Sequence, residues 1–268
     1  MTEEGKSVFT YRDIPVTYYK VGQGRPLLLL HGWGSRASVM MPLAGALGDI
    51  RTCYIPDLPG FGDTPAPGRP WNVDDYADMV TAFASQVVAG GIDVLAHSFG
   101  GRITLKWAAR EHADIAPKKV IITGGAGMKP RRTFSFYRRR ALAMILKLPF
   151  QLLPQGLKSK ALSWLRETRI WKSLGSSDYR ELDGVMRETF VKTVSEHLES
   201  CLSHINQEVL LLWGKDDPYT PWYQAGRMEK GLKNGVLVGI DNAGHYAFLD
   251  QPGRFTRISK AFLEPDGS

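Results

Sequence analysis

A serine, a pair of aspartates and a histidine each follow an apolar run of this 268-residue chain, where a strand would end. Ser98 lies in Ala96-His97-Ser98-Phe99-Gly100-Gly101, between the mostly apolar residues 92–95 and a helical pattern. Small residues on both sides of the serine permit a sharp strand-to-helix turn, and the N-terminus of a helix favours developing negative charge. The spacing predicts a nucleophile elbow at Ser98, in which Ala96 adds one methyl group to the usual G-x-S-x-G pattern.

The aspartates and the histidine come much later in the chain. The apolar residues 209–213 lead into Gly214-Lys215-Asp216-Asp217, and residues 236–240 lead into Asn242-Ala243-Gly244-His245. A serine hydroxyl is a weak nucleophile until a hydrogen-bonded imidazole can take its proton, and a carboxylate holds that imidazole in the required tautomer. This chain order predicts acyl transfer through Ser98, with His245 as the base and Asp216 or Asp217 as the acid.

A tetrahedral intermediate also needs N–H donors for its oxyanion. The apolar residues 26–30 end in His31-Gly32-Trp33-Gly34, a glycine-containing loop that can aim a backbone N–H at such a charge. We expect Trp33 to supply one donor and Phe99, directly after the serine, to supply the other. Each donor of this kind is worth about 3 kcal/mol of barrier. His31 and His97 are interpreted as structural residues.

Alternating elements must position these residues. Residues 9–14 and 16–21 predict an opening hairpin, and strands then alternate with helices, at about 37–47 and 73–88, until about residue 124. That alternation predicts a mostly parallel sheet flanked by helices. From 126 to 206 only helical periods appear, and a strand pattern returns at 209. We therefore predict an α/β core, formed by residues 1–125 and 207–268, with a helical cap inserted at 126–206.

Five segments together resemble one family. The chain is similar to the lidded α/β-hydrolases of the carboxylesterase-like branch in the motifs HGWG, DLPGFGDT, AHSFGG, WGKDDPYTP and NAGHYAFLDQP. The resemblance implies the α/β-hydrolase fold, with Ser98 as nucleophile and His245 as base. It favours Asp217 as the acid, because the family pattern G-x-x-D counted from Gly214 ends there, and Asp216 remains the alternative. Trp222 and Tyr246, with Trp33 and Phe99, are candidates to line an acyl pocket.

The expected reaction is hydrolysis of a small-molecule carboxylic ester, or of a thioester, with neither a metal nor an organic cofactor. The serine at the elbow argues against dehalogenases and epoxide hydrolases, for which the resemblance implies an aspartate there. Two alternatives remain open. One is carbon–carbon bond hydrolysis of the meta-cleavage-product type, although the extended glycine-rich oxyanion loop of those enzymes is absent after His31. The other is a ligand receptor that retains the fold without turnover.

Composition narrows the class of protein further. Hydrophobic content of 43% and charged content of 23% are typical of a globular protein, and two cysteines give no disulfide framework. The N-terminal residues lack a signal pattern and no apolar run reaches membrane-spanning length, so a cytoplasmic monomer or homodimer is expected.

The positive charge is concentrated in the predicted cap. Residues 126–206 hold 15 Lys or Arg against 7 Asp or Glu, a net +8, whereas the remaining 19 against 20 give −1. The cluster Arg138-Arg139-Arg140 is interpreted first as a solvated helix face. Steering of an anionic substrate and peripheral contact with an anionic membrane remain alternatives, and nucleic acid is not expected as a partner.

Overall fold

A computed structural model of the chain describes residues 5–88, 91–110, 115–131 and 184–264, together with residues 144, 149, 154, 157, 168 and 182. Contacts divide the chain into two compact units, Met1–Lys129 with Glu188–Ser268, and Pro130–Arg187. The second unit falls inside the predicted cap at 126–206. Since most of it lies outside the described residues, as does Arg138-Arg139-Arg140, the cap stays a prediction.

The first unit contains one sheet. Its strands among the described residues are β1 Lys6–Tyr11, β2 Ile14–Val21, β3 Arg25–Leu30, β4 Arg51–Pro56, β5 Ile92–His97, β6 Pro117–Thr123, β7 Glu208–Gly214 and β8 Gly235–Ile240. They lie side by side in the order β1-β2-β4-β3-β5-β6-β7-β8. The pairs β1–β2 and β2–β4 are antiparallel, and the other pairs are parallel. The predicted mostly parallel sheet with its opening hairpin is therefore confirmed. The hairpin turns at Arg12 and Asp13, where Arg12 has a φ of 53°, so Ile14, predicted in the first strand, begins the second.

Helices flank this sheet. Those in the described residues are α1 Ala37–Leu47, α2 Val73–Val87, α3 Phe99–Ala108, α4 Gly184–Ser195, α5 Glu199–Leu202, α6 Trp222–Gly231, α7 Ala247–Asp250 and α8 Pro252–Leu263. The bounds predicted for α1 are correct, and α2 ends one residue earlier than predicted. In the described ranges, no helix combines the length and the apolar character that crossing a bilayer requires.

Two hydrophobic cores lie on opposite faces of the sheet, and β7 shows how the sequence specifies both. Side chains of a strand point alternately to its two faces. Leu210 and Leu212 accordingly pack with residues of α1, α7 and α8, whereas Leu211 and Trp213 pack with residues of α3, α5 and α6. Both faces are covered, which explains why strands such as β3 are continuous apolar runs.

Helix α4 has the predicted helical period but not an apolar buried face. Its Val191 and Val194 are 46% and 43% exposed, whereas Thr189 and Thr193 are fully buried. The hydroxyl of Thr189 accepts a hydrogen bond from the backbone N–H of Trp71, and that of Thr193 donates to the carbonyl of Phe190. Because these polar groups find partners, threonine can take the buried positions.

Residues at both ends of the predicted cap pack with the first unit instead. The N–H of Leu198 donates to the carbonyl of Gly127 at 2.8 Å, and Leu198 and Leu202 are core residues beneath β6 and β7. Glu199 accepts a hydrogen bond from the N–H of Lys129 and pairs with Arg227. These contacts are the physical reason why residues 126–129 and 188–206 group with the first unit.

Candidate active site

Ser98 occupies a strained turn between β5 and α3. Its backbone angles are φ 52° and ψ −105°, and α3 begins at the next residue. A side chain other than glycine at positive φ costs energy and persists only where the surroundings hold it. The N–H of Ser98 donates to the carbonyl of Thr123, and the carbonyl of Ser98 accepts from the N–H of Ala126, both at 3.0 Å. The half-buried serine is thus held in place by β6 and the residues after it.

The neighbouring small residues are required by close approach. A Cβ atom at Gly100 would lie 2.6 Å from the carbonyl oxygen of Leu30, and one at Gly32 would lie 3.2 Å from the Cβ of Ser98. Ala96, which replaces the first glycine of the usual pattern, is fully buried in β5 and pairs with β3 and β6 in regular register. The extra methyl group therefore fits without disturbing the sheet.

Asp217 and His245 are joined directly. Nδ1 of His245 lies 2.8 Å from Oδ2 of Asp217, and this aspartate is buried. Asp216 does not take part in this bond: it is exposed, and its backbone N–H donates to the carbonyl of Ala243. Burial raises the pKa of Asp217, but the hydrogen bonds with His245 and Thr220 outweigh it, so this pKa lies below its usual value. An anionic Asp217 favours the tautomer with a proton on Nδ1, which leaves Nε2 as an acceptor.

His245 lies next to the residues that hold Ser98. The backbone passes so near the imidazole at Gly124, φ +55°, that a Cβ there would lie 2.9 Å from Nδ1. Gly124 directly follows Thr123, whose carbonyl binds the N–H of Ser98. The structure therefore brings the serine, the histidine and Asp217 to the same edge of the sheet, at the carboxyl ends of β5, β7 and β8.

His97, beside the serine, contacts the histidine loop. Its Nε2 lies 3.1 Å from the carbonyl oxygen of His245, so a proton on Nε2 forms a hydrogen bond there. Its Nδ1 is buried without a hydrogen-bond partner, and burial lowers the pKa of His97 to about 3. A neutral His97 thus fastens the loop that carries His245.

Hydrogen bonds of His31 and Asp57 hold the glycine loop after β3 and the start of α1. Nε2 of the buried His31 accepts a hydrogen bond from the N–H of Leu58 at 3.0 Å, and burial lowers the pKa of His31 to about 4. Asp57 accepts from the N–H of Ala37 at 2.6 Å and from that of Asp63 at 2.9 Å. Asp57 thereby caps α1, whose own N-cap residue makes no side-chain cap. Loop and helix are thus fixed by groups distant in sequence.

The two residues predicted as N–H donors meet at this loop. The rings of Trp33 and Phe99 lie 5.1 Å apart, and the carbonyl of His31 accepts from the N–H of Gly100 at 3.1 Å. Phe99 is the first residue of α3, where a backbone N–H has no partner within the helix. The arrangement can place two N–H groups beside Ser98.

An aromatic cluster that the sequence analysis missed surrounds Trp33. Its ring lies 4.9 Å from that of Phe61 and 5.2 Å from that of Phe190, and Tyr76 lies 5.0 Å from Phe99. The sequence offered one indication for Phe61, since this residue lies in the glycine-rich segment that follows β4. Phe190 gave none, because a phenylalanine in a helical pattern is ordinarily a core residue.

The two further pocket candidates lie in different places. Tyr246 is half-buried, with its ring 4.6 Å from that of His97 and 5.5 Å from that of His245. The ring of Trp222 lies against Gly239 of β8, where an added Cβ would be 2.9 Å from its outer edge. Their role in binding substrate stays a prediction. Among the residues that the structure describes, no cluster of three His, Cys, Asp or Glu side chains could hold a metal ion.

The chain matches a known protein family. The sequence model of the alpha/beta hydrolase family matches residues 27–258. The chain belongs to the alpha/beta hydrolase family. The match includes every residue discussed above as part of the candidate site.

Individual members of the family that resemble the chain differ in activity. A pimeloyl-[acyl-carrier protein] methyl ester esterase of Chromobacterium violaceum is 26% identical, over 91% of this chain and 96% of its own. A 2-hydroxy-6-oxo-2,4-heptadienoate hydrolase of Pseudomonas putida is 22% identical, over 93% of each chain. Among solved structures, a bacterial membrane phospholipase A has a TM-score of 0.73 at 23% identity, covering 96% of this chain and 85% of that one. Hydrolase activity is supported by these relatives, which include enzymes for different bonds.

Proposed function

We propose that this protein is a serine hydrolase that cleaves a carboxylic ester, or a thioester, through an acyl-enzyme on Ser98. The observation that carries the proposal is the 2.8 Å bond between Asp217 and His245, beside a serine held at φ 52°. The strained backbone of Ser98 lowers the stability of the fold, and such strain is found mostly at functional sites. A histidine base oriented by the buried carboxylate of Asp217 gives Ser98 such a function, because it can activate the serine hydroxyl.

The reaction follows from the three groups. Nε2 of His245 takes the hydroxyl proton as Oγ of Ser98 attacks the substrate carbonyl, and the carbonyl oxygen becomes an oxyanion. Backbone N–H groups of Trp33 and Phe99 stabilise that charge. The intermediate collapses, the bond to the leaving oxygen or sulfur breaks, and the leaving group takes the proton from Nε2. Water, activated by the same imidazole, then releases the acid and restores Ser98.

Covalent labelling tests the nucleophile. A fluorophosphonate probe is expected to add to one serine of the wild type, and Ser98→Ala should abolish both labelling and ester turnover. Ser35→Ala is a matched control, because Ser35 also lies in a loop beyond a strand end but is not part of the triad. Labelling that persists in Ser98→Ala would overturn the assignment.

A second candidate is hydrolysis of a carbon–carbon bond, favoured by the similarity to the Pseudomonas putida hydrolase described above. Against it stands the short glycine segment Gly32-Trp33-Gly34 after His31. The discriminating experiment offers the enzyme p-nitrophenyl esters of increasing acyl length, one thioester and one vinylogous diketone. Ester or thioester turnover with an inert diketone supports the proposal, and preference for the diketone selects the second candidate. Only a few slow cycles, accompanied by ligand-dependent binding of a partner, would indicate a receptor.

A further inference from the structure

Tyr219 places an exposed aromatic ring beside the proposed base. Its side chain is 75% exposed, more than any other large hydrophobic side chain among the described residues. The centroid of its ring lies 5.1 Å from that of His245, at an interplanar angle of 55°. A ring this exposed contributes little to the hydrophobic core. Core packing therefore does not explain why it lies beside His245.

The backbone at Tyr219 is held by the same carboxylate that orients the histidine. The N–H of Tyr219 donates to Oδ1 of Asp217 at 2.8 Å, and Oδ2 of Asp217 binds His245. Prolines at positions 218 and 221 further restrict the loop. The backbone of Tyr219 and the imidazole are therefore anchored to one buried group, which keeps residue 219 beside His245.

In the proposed mechanism, the leaving alcohol must receive a proton from Nε2 of His245. That transfer requires a distance of about 2.6–3.2 Å between the nitrogen and the leaving oxygen. The carbon atoms attached to that oxygen then lie within a few ångströms of the imidazole, as the Tyr219 ring does. The acyl portion, whose carbonyl oxygen faces Trp33 and Phe99, extends from the opposite side of the broken bond.

We propose that Tyr219 is a specificity-determining residue that binds the alcohol portion of the substrate, and that this portion is flat and apolar, such as an aryl or benzyl group. Offset or edge-to-face contact between two rings is favourable beyond the area it buries. The proposal rests on the proposed function, since only an acyl-transfer reaction has a departing alcohol at this position.

The other aromatic neighbours of His245 are less suited to this role. Tyr246 is half-buried and its ring packs at 4.6 Å on His97 and at 6.0 Å on Phe248. His97 itself is buried and binds the carbonyl of His245. A substrate ring can approach Tyr219 without displacing a core contact.

The test compares two esters that share an acyl group and differ in the alcohol, a benzyl ester and a methyl ester. The ratio of their kcat/KM values is the readout, because a general loss of activity through a disturbed His245 cancels from it. Tyr219→Ala should lower this benzyl-to-methyl ratio roughly three- to tenfold. Tyr219→Phe, which retains the ring, should keep it within about twofold of the wild type. Val236→Ala, which removes a 59% exposed side chain on β8, is the remote control.

A second series with one alcohol and acyl groups of increasing length separates the two halves of the substrate. Tyr219→Ala should leave the relative kcat/KM values of that series unchanged. An unchanged benzyl-to-methyl ratio in Tyr219→Ala, an equal fall of the ratio in Tyr219→Phe, or altered acyl preference would each overturn the proposal. Failure of the proposed function has a different signature: neither ester is cleaved and Ser98 is not labelled even in the wild type.

Discussion

The carboxylate of Asp217 accepts four hydrogen bonds. Oδ1 receives the N–H groups of Tyr219 and Thr220, and Oδ2 receives the hydroxyl of Thr220 and Nδ1 of His245. Both oxygens are fully used, so the group can neither turn nor accept a proton without breaking a bond. This arrangement explains how one buried side chain holds both its own loop and the imidazole.

An amide at this position would keep one acceptor oxygen, but its NH2 group would face two of those four donors. Asp217→Asn is therefore expected to lower kcat by about 10⁴, since the imidazole loses the partner that selects its tautomer. Asp216→Asn, at an exposed neighbouring position, is expected to cost less than about tenfold, because the imidazole is bonded to Asp217 instead. Steady-state kinetics of the two variants on one ester decide between them. The reverse ranking would transfer the acid role to Asp216.

Two buried histidines predict a loss of stability in mild acid. Burial lowers the pKa of His31 to about 4 and that of His97 to about 3, from an ordinary 6.5. Between those values and 6.5 the unfolded chain binds more protons than the folded one, so the free energy of unfolding falls as the pH is lowered. The lowered pKa of Asp217 also stabilises the folded protein, and this contribution is lost only at still lower pH, below about 4.

Urea unfolding at pH 7.5 and pH 5 measures this effect. His31→Gln offers an acceptor for the N–H of Leu58 without a titrating ring, and His97→Gln offers a donor in place of Nε2. Each variant should show a smaller difference in unfolding free energy between the two pH values than the wild type does. A wild type that is equally stable at both would contradict the pKa directions.

At the scale of elements, the contact between α3 and β3 leaves no room for a side chain at Gly100. A Cβ at Gly100 would meet the carbonyl oxygen of Leu30 at 2.6 Å, whereas one at Gly45 of α1 would meet no atom within 4 Å. Gly100→Ala should therefore destabilise the protein by about 1–3 kcal/mol and lower activity by displacing Ser98. Gly45→Ala, the matched control, should stabilise it by up to about 1 kcal/mol. Thermal unfolding and kcat of both variants provide the check, and a harmless Gly100→Ala would refute the argument.

Elements with strong local signals were predictable from the sequence. The bounds of α1 and the apolar strands needed only periodicity, and the pairing of Asp217 with a histidine needed only a motif count. The buried face of α4 was not predictable, because Thr189 is buried through a partner elsewhere in the chain, and Thr193 through the carbonyl of Phe190 in its own helix. The cap of α1 by Asp57 depends likewise on a tertiary contact that no local pattern encodes. Tyr219 was missed since an exposed aromatic residue acquires meaning only from its distance to His245.

The whole molecule carries a net charge of +7, which the sequence assigns to residues 126–206. If the cluster at 138–140 is a solvated face, neutralising all three arginines should leave kcat/KM unchanged for neutral and anionic esters alike. Salt distinguishes this from steering, because the screening length falls from about 10 Å at 0.1 M to about 3 Å at 1 M. A kcat/KM that is salt-sensitive only for anionic esters, and loses that sensitivity in the triple variant, would establish steering. Lost sedimentation with anionic vesicles, at full activity on soluble esters, would establish membrane contact.

The candidate site is assembled from distant parts of the chain, and its base follows the outermost strand. His245 comes five residues after β8, which pairs only with β7 among the described strands and is half-exposed along most of its length. Ser98, by contrast, follows β5 in the middle of the sheet. Edge elements open at lower free energy than central ones. Warming should therefore detach the base while the serine stays in place, so that catalytic activity fades at a temperature where the circular dichroism of the fold is still intact.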